Sequence, residues 1–399
     1  MMTLPELDAA ASAHAARVAN AVRAAIDLAG GALPFDDYME LALYAPGLGY
    51  YAAGARKFGA SGDFVTAPEL TPLFGRALAH HLAPTFHATP GPERVLLELG
   101  PGSGALACDL LRELETLGAL PDRYLLLEPS PELRERQRVR IAQLPLALAQ
   151  RVHWLDALPA APIAGAILAN EVLDALPCER FAIRSGAVHE LAVVCAGDAF
   201  SLVERPAPPA LERAVRALEA ARGAPFAEGY VHELRSRLPP FVATLARLLA
   251  PPSGPAYGGG QLLFIDYGLD RRELYSSERR MGTFRAFHRH RALDDALFRS
   301  GLCDLTAWVD FTAVAEAATA AGLELEGYTT QAQFLLGCGI AELAAASGPD
   351  VLELARASSA VQRLTLPAEM GESFKAIGFS RGAGVMLPGF ALRDLAHLL

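Results

Sequence analysis

The stretch Val95-Leu-Leu-Glu-Leu-Gly-Pro-Gly-Ser-Gly-Ala-Leu106 constrains the fold of this chain more than any other. Val95 to Leu99 is apolar except for Glu98, the pattern of a strand buried on both faces of a parallel sheet. Gly100, Gly102 and Gly104 follow at alternate positions. Leu106, Leu110, Leu111, Leu114 and Leu117 then recur at helical spacing, which predicts a helix over 105–117. A strand, a glycine-rich turn and a helix let backbone approach a ligand closely and aim helix N–H groups at it.

The same alternation continues. Strands are expected at 123–128, 152–156 and 165–169, with a helix at 131–144 that begins at Pro131, where a missing N–H costs little. Residues 261–268 resume the sheet, a helix at 311–321 leads into a strand at 323–328, and several short helices over about 330–365 precede a last strand at 373–379. The expected fold class is therefore α/β: a doubly wound, mostly parallel Rossmann-like sheet. Ser185-Gly186 between 180–184 and 188–194 signals a hairpin, and helices at 209–222 and 237–250 follow it. These divide the chain into an N-terminal helical segment (1–90), a first half of the core (91–177), a hairpin and helical insertion (178–260) and a second half of the core (261–399). Residues 269–308, rich in arginine from Arg271 to Arg291, read as a solvated loop.

Composition narrows the function classes. With 399 residues and 52% hydrophobic side chains, the chain can bury a large core. A net charge of −10 argues against nucleic acid or an anionic membrane as partner and leaves basic peptides open. Five cysteines without a C-x-x-C pair indicate neither a zinc site nor a disulfide framework and suit a reducing, cytoplasmic setting. No stretch has the length of a membrane span. The alanine-rich residues 1–30, interrupted by Glu6, Asp8 and Asp27, read as a surface helix rather than a targeting segment.

Two ligands could use the glycine turn. Gly100-x-Gly102-x-x-Ala105 fits a dinucleotide fingerprint, whereas Glu98-x-Gly100-x-Gly102-x-Gly104 fits the first motif of S-adenosylmethionine-dependent methyltransferases. Glu128, at the end of the second strand, is placed to accept the ribose hydroxyls of either. Asp156, after the third strand, is a candidate for the adenine amino group, with a turn-forming role equally open. Glu98 would be costly if buried unpaired, so it is expected to accept from backbone N–H groups of the turn or from the ligand's amino group. Asn170, Glu171 and Asp174 follow the fourth strand, where open α/β sheets carry their chemistry. A helix there would put Glu171 and Asp174 on one face. The histidines form no ligand spacing, and no metal site is expected.

The residues together resemble the MidA family, bacterial and mitochondrial relatives of the arginine methyltransferase that assists respiratory complex I assembly. The resemblance is carried by Gly49-Tyr-Tyr51, Gly62-Asp-Phe-Val-Thr-Ala-Pro-Glu69, Glu98 to Gly104, Asn170-Glu-Val-Leu-Asp-Ala-Leu-Pro177, Asp266-Tyr-Gly268, Gly282-Thr-Phe-Arg285 and Asp304 to Phe311, and spans nearly the whole chain. Ser103 stands where the family commonly has Arg, Ala67 where it often has Ser, and Val172-Leu173 replaces a pair of Phe expected close to the substrate. The resemblance implies a class I core that binds S-adenosylmethionine, with Asp63 brought near by the N-terminal segment. Glu98, Gly100, Gly102, Gly104, Glu128, Asp156 and Asn170, read from the strand ends and the glycine turn, are the candidate residues for that cofactor. It implies a protein arginine as methyl acceptor, as in the mitochondrial relatives, in a respiratory-complex type of partner. Glu171 and Asp174 are the candidates to hold the acceptor guanidinium. The alternative is an assembly or chaperone-like module that keeps the fold and turns over little; a nicotinamide dehydrogenase rests on the glycine turn alone.

Overall fold

The computed structural model describes residues 7–53, 66–89, 93–249, 260–288, 291–293, 295–346, 348, 350–382 and 386–399. Its N-terminal part runs α1 (Ala9–Leu28), a two-residue strand β1 (Leu33–Pro34), α2 (Phe35–Tyr44), α3 (Ala67–Leu70) and α4 (Pro72–Ala88). The core then alternates as expected: β2 (Arg94–Leu99), α5 (Ala105–Thr116), β3 (Arg123–Leu127), α6 (Pro131–Ile141), α7 (Leu146–Ala149), β4 (Val152–Leu155) and β5 (Ala164–Asn170). After an excursion of β6 (Glu179–Arg184), β7 (Ala187–Ala196), β8 (Ala199–Pro206), α8 (Pro209–Arg222), β9 (Val231–Leu234) and α9 (Leu238–Leu248), the chain returns in β10 (Gly260–Leu269).

The central sheet has the order β15-β16-β10-β5-β2-β3-β4, where β15 is Glu324–Thr330 and β16 is Phe374–Arg381. Its strands run parallel from β10 to β4, and β16 is antiparallel to both its neighbours. Successive crossovers move outward from β2 to β3 to β4 and then jump back to β5. The order therefore reverses between β2 and β5, and a crevice opens at their carboxyl ends, where such sheets bind ligands.

The apolar pattern of β2 shows why it lies at the centre. Leu96 packs into a cluster with Leu78, Phe74, Leu110 and Phe334 on one face, while Val95, Leu97 and Leu99 pack with Val242, Leu245, Phe311 and Val314 on the other. Period-two alternation sends neighbouring residues to opposite faces, and both faces are covered by helices.

A second sheet, β1-β7-β6-β9 with β8 beside β7, joins the excursion to the N-terminal part: Leu33 pairs with Val193 and Pro34 with Ala192. The hairpin turns at Ser185-Gly186 as expected, and β8 adds a strand that the sequence reading did not include. The segment 269–308 is not a solvated loop. It holds α10 (Arg271–Leu274) and a three-stranded sheet of β11 (Arg285–His288), β12 (Arg291–Leu293) and β13 (Asp304–Thr306). Ala286, Cys303 and Leu305 from this sheet are buried against Phe35, Tyr38 and Met39 of α2. Arg272, Arg280, Arg285 and Arg291 face outward and give the segment its polar pattern, while the few apolar residues between them find a partner in α2, near the other end of the chain, that local periodicity cannot reveal. β14 (Val309–Asp310) pairs with the end of β10, and α11 (Phe311–Ala320) covers the sheet. Of the helices in 330–365, α12 (Gln331–Gly337) and α13 (Ile340–Ala345) are short, whereas α14 (Val351–Thr365) runs for 15 residues.

Candidate active site

A cavity of about 220 Å³ opens at the reversal point between β2 and β5. Its floor is the glycine turn. Gly100, Gly102 and Gly104 have φ of +60°, +54° and +81°, the left-handed region that residues with a Cβ rarely adopt. Gly100 and Gly102 line the cavity, and Gly104 caps the start of α5. Gln137 of α6 braces the turn by donating from Nε2 to the Gly102 carbonyl at 2.7 Å.

Glu98 and Glu128 also line the cavity, and both are buried. Glu128 Oε1 accepts the Ser130 N–H at 2.8 Å, and its Oε2 lies 3.3 Å from Gln137 Nε2. These contacts fix the carboxylate at the strand end where a ribose would meet it. Of the two partners expected for Glu98, the N–H groups of the turn are not used: it accepts from the Tyr124 hydroxyl at 2.7 Å while still lining the cavity. Burial pushes its carboxyl up to about 7, offset in part by the Tyr124 bond. Asp156 is not among the cavity residues. Its exposed carboxylate is held by Arg134 at 2.7 Å, and the same guanidinium bonds the Glu128 and Leu155 carbonyls, tying together the ends of β3 and β4. Asp63 lies outside the described residues.

The opposite wall is the loop after β5. Asn170 and Glu171 line the cavity, but residues 171–176 form turns rather than a helix. Pro177 and a fixed tertiary anchor prevent helix here: the three successive N–H groups of Val172, Leu173 and Asp174 all donate to Asp266 Oδ2, at 3.1, 2.8 and 3.2 Å. Glu171 sits at φ +54°, a strained value for a residue with a side chain. Its carboxylate accepts from Asn170 Nδ2 at 3.1 Å and from the Ala67 N–H. Burial, with Asp174 nearby, pushes the Glu171 carboxyl up to about 8. Asp174 is buried just behind the cavity lining, accepts from the Tyr267 hydroxyl and is likewise held above the usual carboxylate range by burial. Asn170 Oδ1 and Asp174 Oδ1 are buried without a hydrogen-bond partner among the described residues. Arg235 locks the loop from outside, donating to the carbonyls of Asp174, Leu176, Ala307 and Trp308.

The third wall comes from the N-terminal part. Tyr44, Tyr51, Thr66, Pro68 and Glu69 all reach the cavity, and Glu69 accepts from the Ser103 hydroxyl of the glycine turn, with Arg140 at 3.4 Å. Ser103 thus uses the position where the family commonly has Arg to hold the N-terminal segment down. Of the pair that replaces two Phe, Val172 lines the cavity while Leu173 turns into the core. Sequence reasoning missed Asp266, Tyr267 and Asp304 as site residues although their segments carried the resemblance, and it missed Glu69 although it closes one. Arg235 left no local signal at all. Among the described residues no group of three or more His, Cys, Asp or Glu is arranged to hold a metal ion, and no helix is long and apolar enough to cross a membrane.

S-adenosylmethionine fits this donor set: a glycine cradle for close backbone approach, a fixed carboxylate at the end of β3 for the ribose, and the unpartnered Asn170 Oδ1 to accept from the amino group. The sheet order and this site define an S-adenosylmethionine-dependent methyltransferase of class I. Residues 77–329 match the family model Methyltransf_28, an S-adenosyl-L-methionine-dependent methyltransferase. A Drosophila melanogaster protein arginine methyltransferase, the NDUFAF7 homolog, is 30% identical over 95% of this chain and 88% of its own length. The Danio rerio protein arginine methyltransferase NDUFAF7 is 28% identical over 87% of this chain and 83% of its own. A crystal structure of a Burkholderia thailandensis protein bound to S-adenosyl-homocysteine matches all of both chains with a TM-score of 0.91 and 40% identity. The chain belongs to this family, the MidA methyltransferases, and S-adenosylmethionine is its methyl donor.

Proposed function

We propose that the chain methylates an arginine of a protein partner. The observation that supports this reading is the pair of carboxylates after β5: Glu171 in the cavity wall and Asp174 just behind it, the latter with Oδ1 unpartnered. The names of the relatives point the same way. When bound, the methyl donor supplies an electrophilic methyl group on a cationic sulfur. An arginine is also a cation, with a pKa above 12. Two unit charges about 4 Å apart repel by about 4 kcal/mol at an effective dielectric constant of 20. One ionised carboxylate at similar range offsets that repulsion, and a second holds the guanidinium fork in a fixed orientation.

Transfer forms an N–C bond as the S–C bond breaks, leaving a neutral thioether, and the methylated nitrogen then releases one proton. Once ionised beside the incoming cation, Glu171 in the cavity wall is the group we assign to receive it. Asp174, tied to Tyr267, and Asp266, spent on three backbone N–H groups, keep the loop in register while this happens.

Incubation of cell extract with labelled methyl donor and this protein, followed by mapping of the label, tests the reading. Label on an arginine side chain is the expected result, and mapping shows whether its bearer is a respiratory-complex subunit. Label confined to another residue type, or partner capture without any label, would replace this reading with a different acceptor or with the assembly-module alternative.

A further inference from the structure

We infer that Tyr44 and Tyr51 form the face against which the acceptor side chain stacks, and that this aromatic wall selects a planar guanidinium over a lysine ammonium. The inference deepens the protein-arginine reading and rests on it.

The wall is built rather than incidental. Tyr44 ends α2, and the chain folds straight back along the helix end: the Tyr50 N–H donates to the Ala42 carbonyl and the Tyr51 N–H to the Leu43 carbonyl, both at 2.8 Å. Only glycine permits this approach, because a Cβ at Gly49 would stand 2.4 Å from the Leu43 carbonyl carbon. The fold-back stacks the Tyr51 ring on that of Tyr44, with centroids 5.6 Å apart and planes at 27°. Tyr50, fully buried, supports Tyr51 edge-on at 5.1 Å. Both wall hydroxyls are tethered: Tyr44 donates to the Ala175 carbonyl at 2.9 Å and Tyr51 to Asp304 Oδ1 at 2.7 Å. The rings cannot swing, and both line the same cavity as Glu171.

The chemistry follows from geometry. A guanidinium directs all its N–H groups outward in one plane and is weakly hydrated on its faces, so it can give its edge to Glu171 and its face to a ring. An ammonium points three donors in different directions and is strongly hydrated. Against fixed rings, one of its donors loses water without gaining an acceptor.

Transfer from labelled donor to a peptide carrying the mapped acceptor sequence, and to its lysine counterpart, tests this. Tyr51→Leu should raise KM for the arginine peptide about tenfold, the scale of a desolvated cation–π contact, and lower the arginine-over-lysine preference by a similar factor. Affinity for S-adenosyl-homocysteine should change by much less than the KM for the peptide. Tyr51→Phe, which keeps the ring, should give a smaller rise. Inhibition of the parent protein by methylguanidine against methylammonium needs no variant, and methylguanidine should be the stronger inhibitor. An unchanged KM and preference in Tyr51→Leu, or equal inhibition by the two cations, overturns the wall while leaving the arginine reading intact. A parent protein that labels residues other than arginine overturns both.

Discussion

Single side chains carry the sharpest consequences. Glu128 is held by Ser130 and Gln137 with its carboxylate in the cavity. Replacing it by Ala should weaken S-adenosylmethionine binding by about 1.5–3 kcal/mol, the worth of a hydrogen bond to a charged group. Gln, which keeps one acceptor oxygen, should cost less. Calorimetry on the three proteins decides, and equal affinities would reduce Glu128 to a brace for α6. Glu171 gives a second test. Its carboxyl, held at about 8, is protonated in the ligand-free protein at pH 7 and must ionise to meet a cation. The kcat/KM for an arginine peptide should therefore rise with pH through about 8 and level off above it. Glu171→Gln and Asp174→Asn should each lower transfer sharply while the affinity for S-adenosyl-homocysteine stays within a few-fold. A flat profile in the parent, or near-normal turnover in both variants, would remove this pair from the acceptor site.

Elements act through their anchors. The turn after β2 works because glycine alone tolerates its backbone, so Gly102→Val should abolish donor binding while the circular dichroism of the fold persists. The loop after β5 has no regular structure of its own and depends on two remote groups. Asp266 gathers three of its N–H groups, and Arg235 gathers carbonyls from both this loop and the 307–308 segment. Arg235→Ala leaves those carbonyls unsatisfied in a partly buried place, and should lower unfolding stability by about 3 kcal/mol. Denaturant titration checks this. A change under about 0.5 kcal/mol, the usual range for surface substitutions, would show that water replaces the guanidinium without loss.

The whole molecule should also register its buried acids. Glu98 and Glu171 sit at about 7 and about 8, above their ordinary 4.5, so the native state binds these protons more tightly than the unfolded chain does. These two groups make stability fall as pH rises. Below about 6.5 they are opposed by His81, which burial pushes down to about 3, and by His232, also held low by burial. The decline of the ligand-free protein is therefore expected in the window from about pH 6.5 to 8. Thermal melts across the window should show a declining midpoint, and Glu171→Gln should flatten the decline near its upper end. A midpoint that climbs between about pH 6.5 and 8, above the ordinary histidine range, would mean that neither group holds its proton in the native protein.

What could be read without a structure had short-range causes. A buried strand, a glycine turn and a helix are encoded within a dozen residues, because sheet and helix periodicity and left-handed backbone are local properties. Glu128 and Asn170 were legible for the same reason: each ends a recognisable strand. Asp156 was placed in the cavity it does not line, and Glu98 lines the cavity but bonds Tyr124 rather than the turn, because a side chain's partner depends on what lies across the sheet or on the next helix, here Tyr124 and Arg134. The apolar residues of 269–308 were hidden among arginines, since burial there depends on α2 arriving from the other end of the chain. The sequence by itself determined the sheet, its winding and the site's position at the strand ends. Only tertiary structure decided which side chains meet there: Tyr51 finds Asp304 across 253 positions and Arg235 finds Ala307 across 72, contacts made by packing free energy and invisible to any window along the chain.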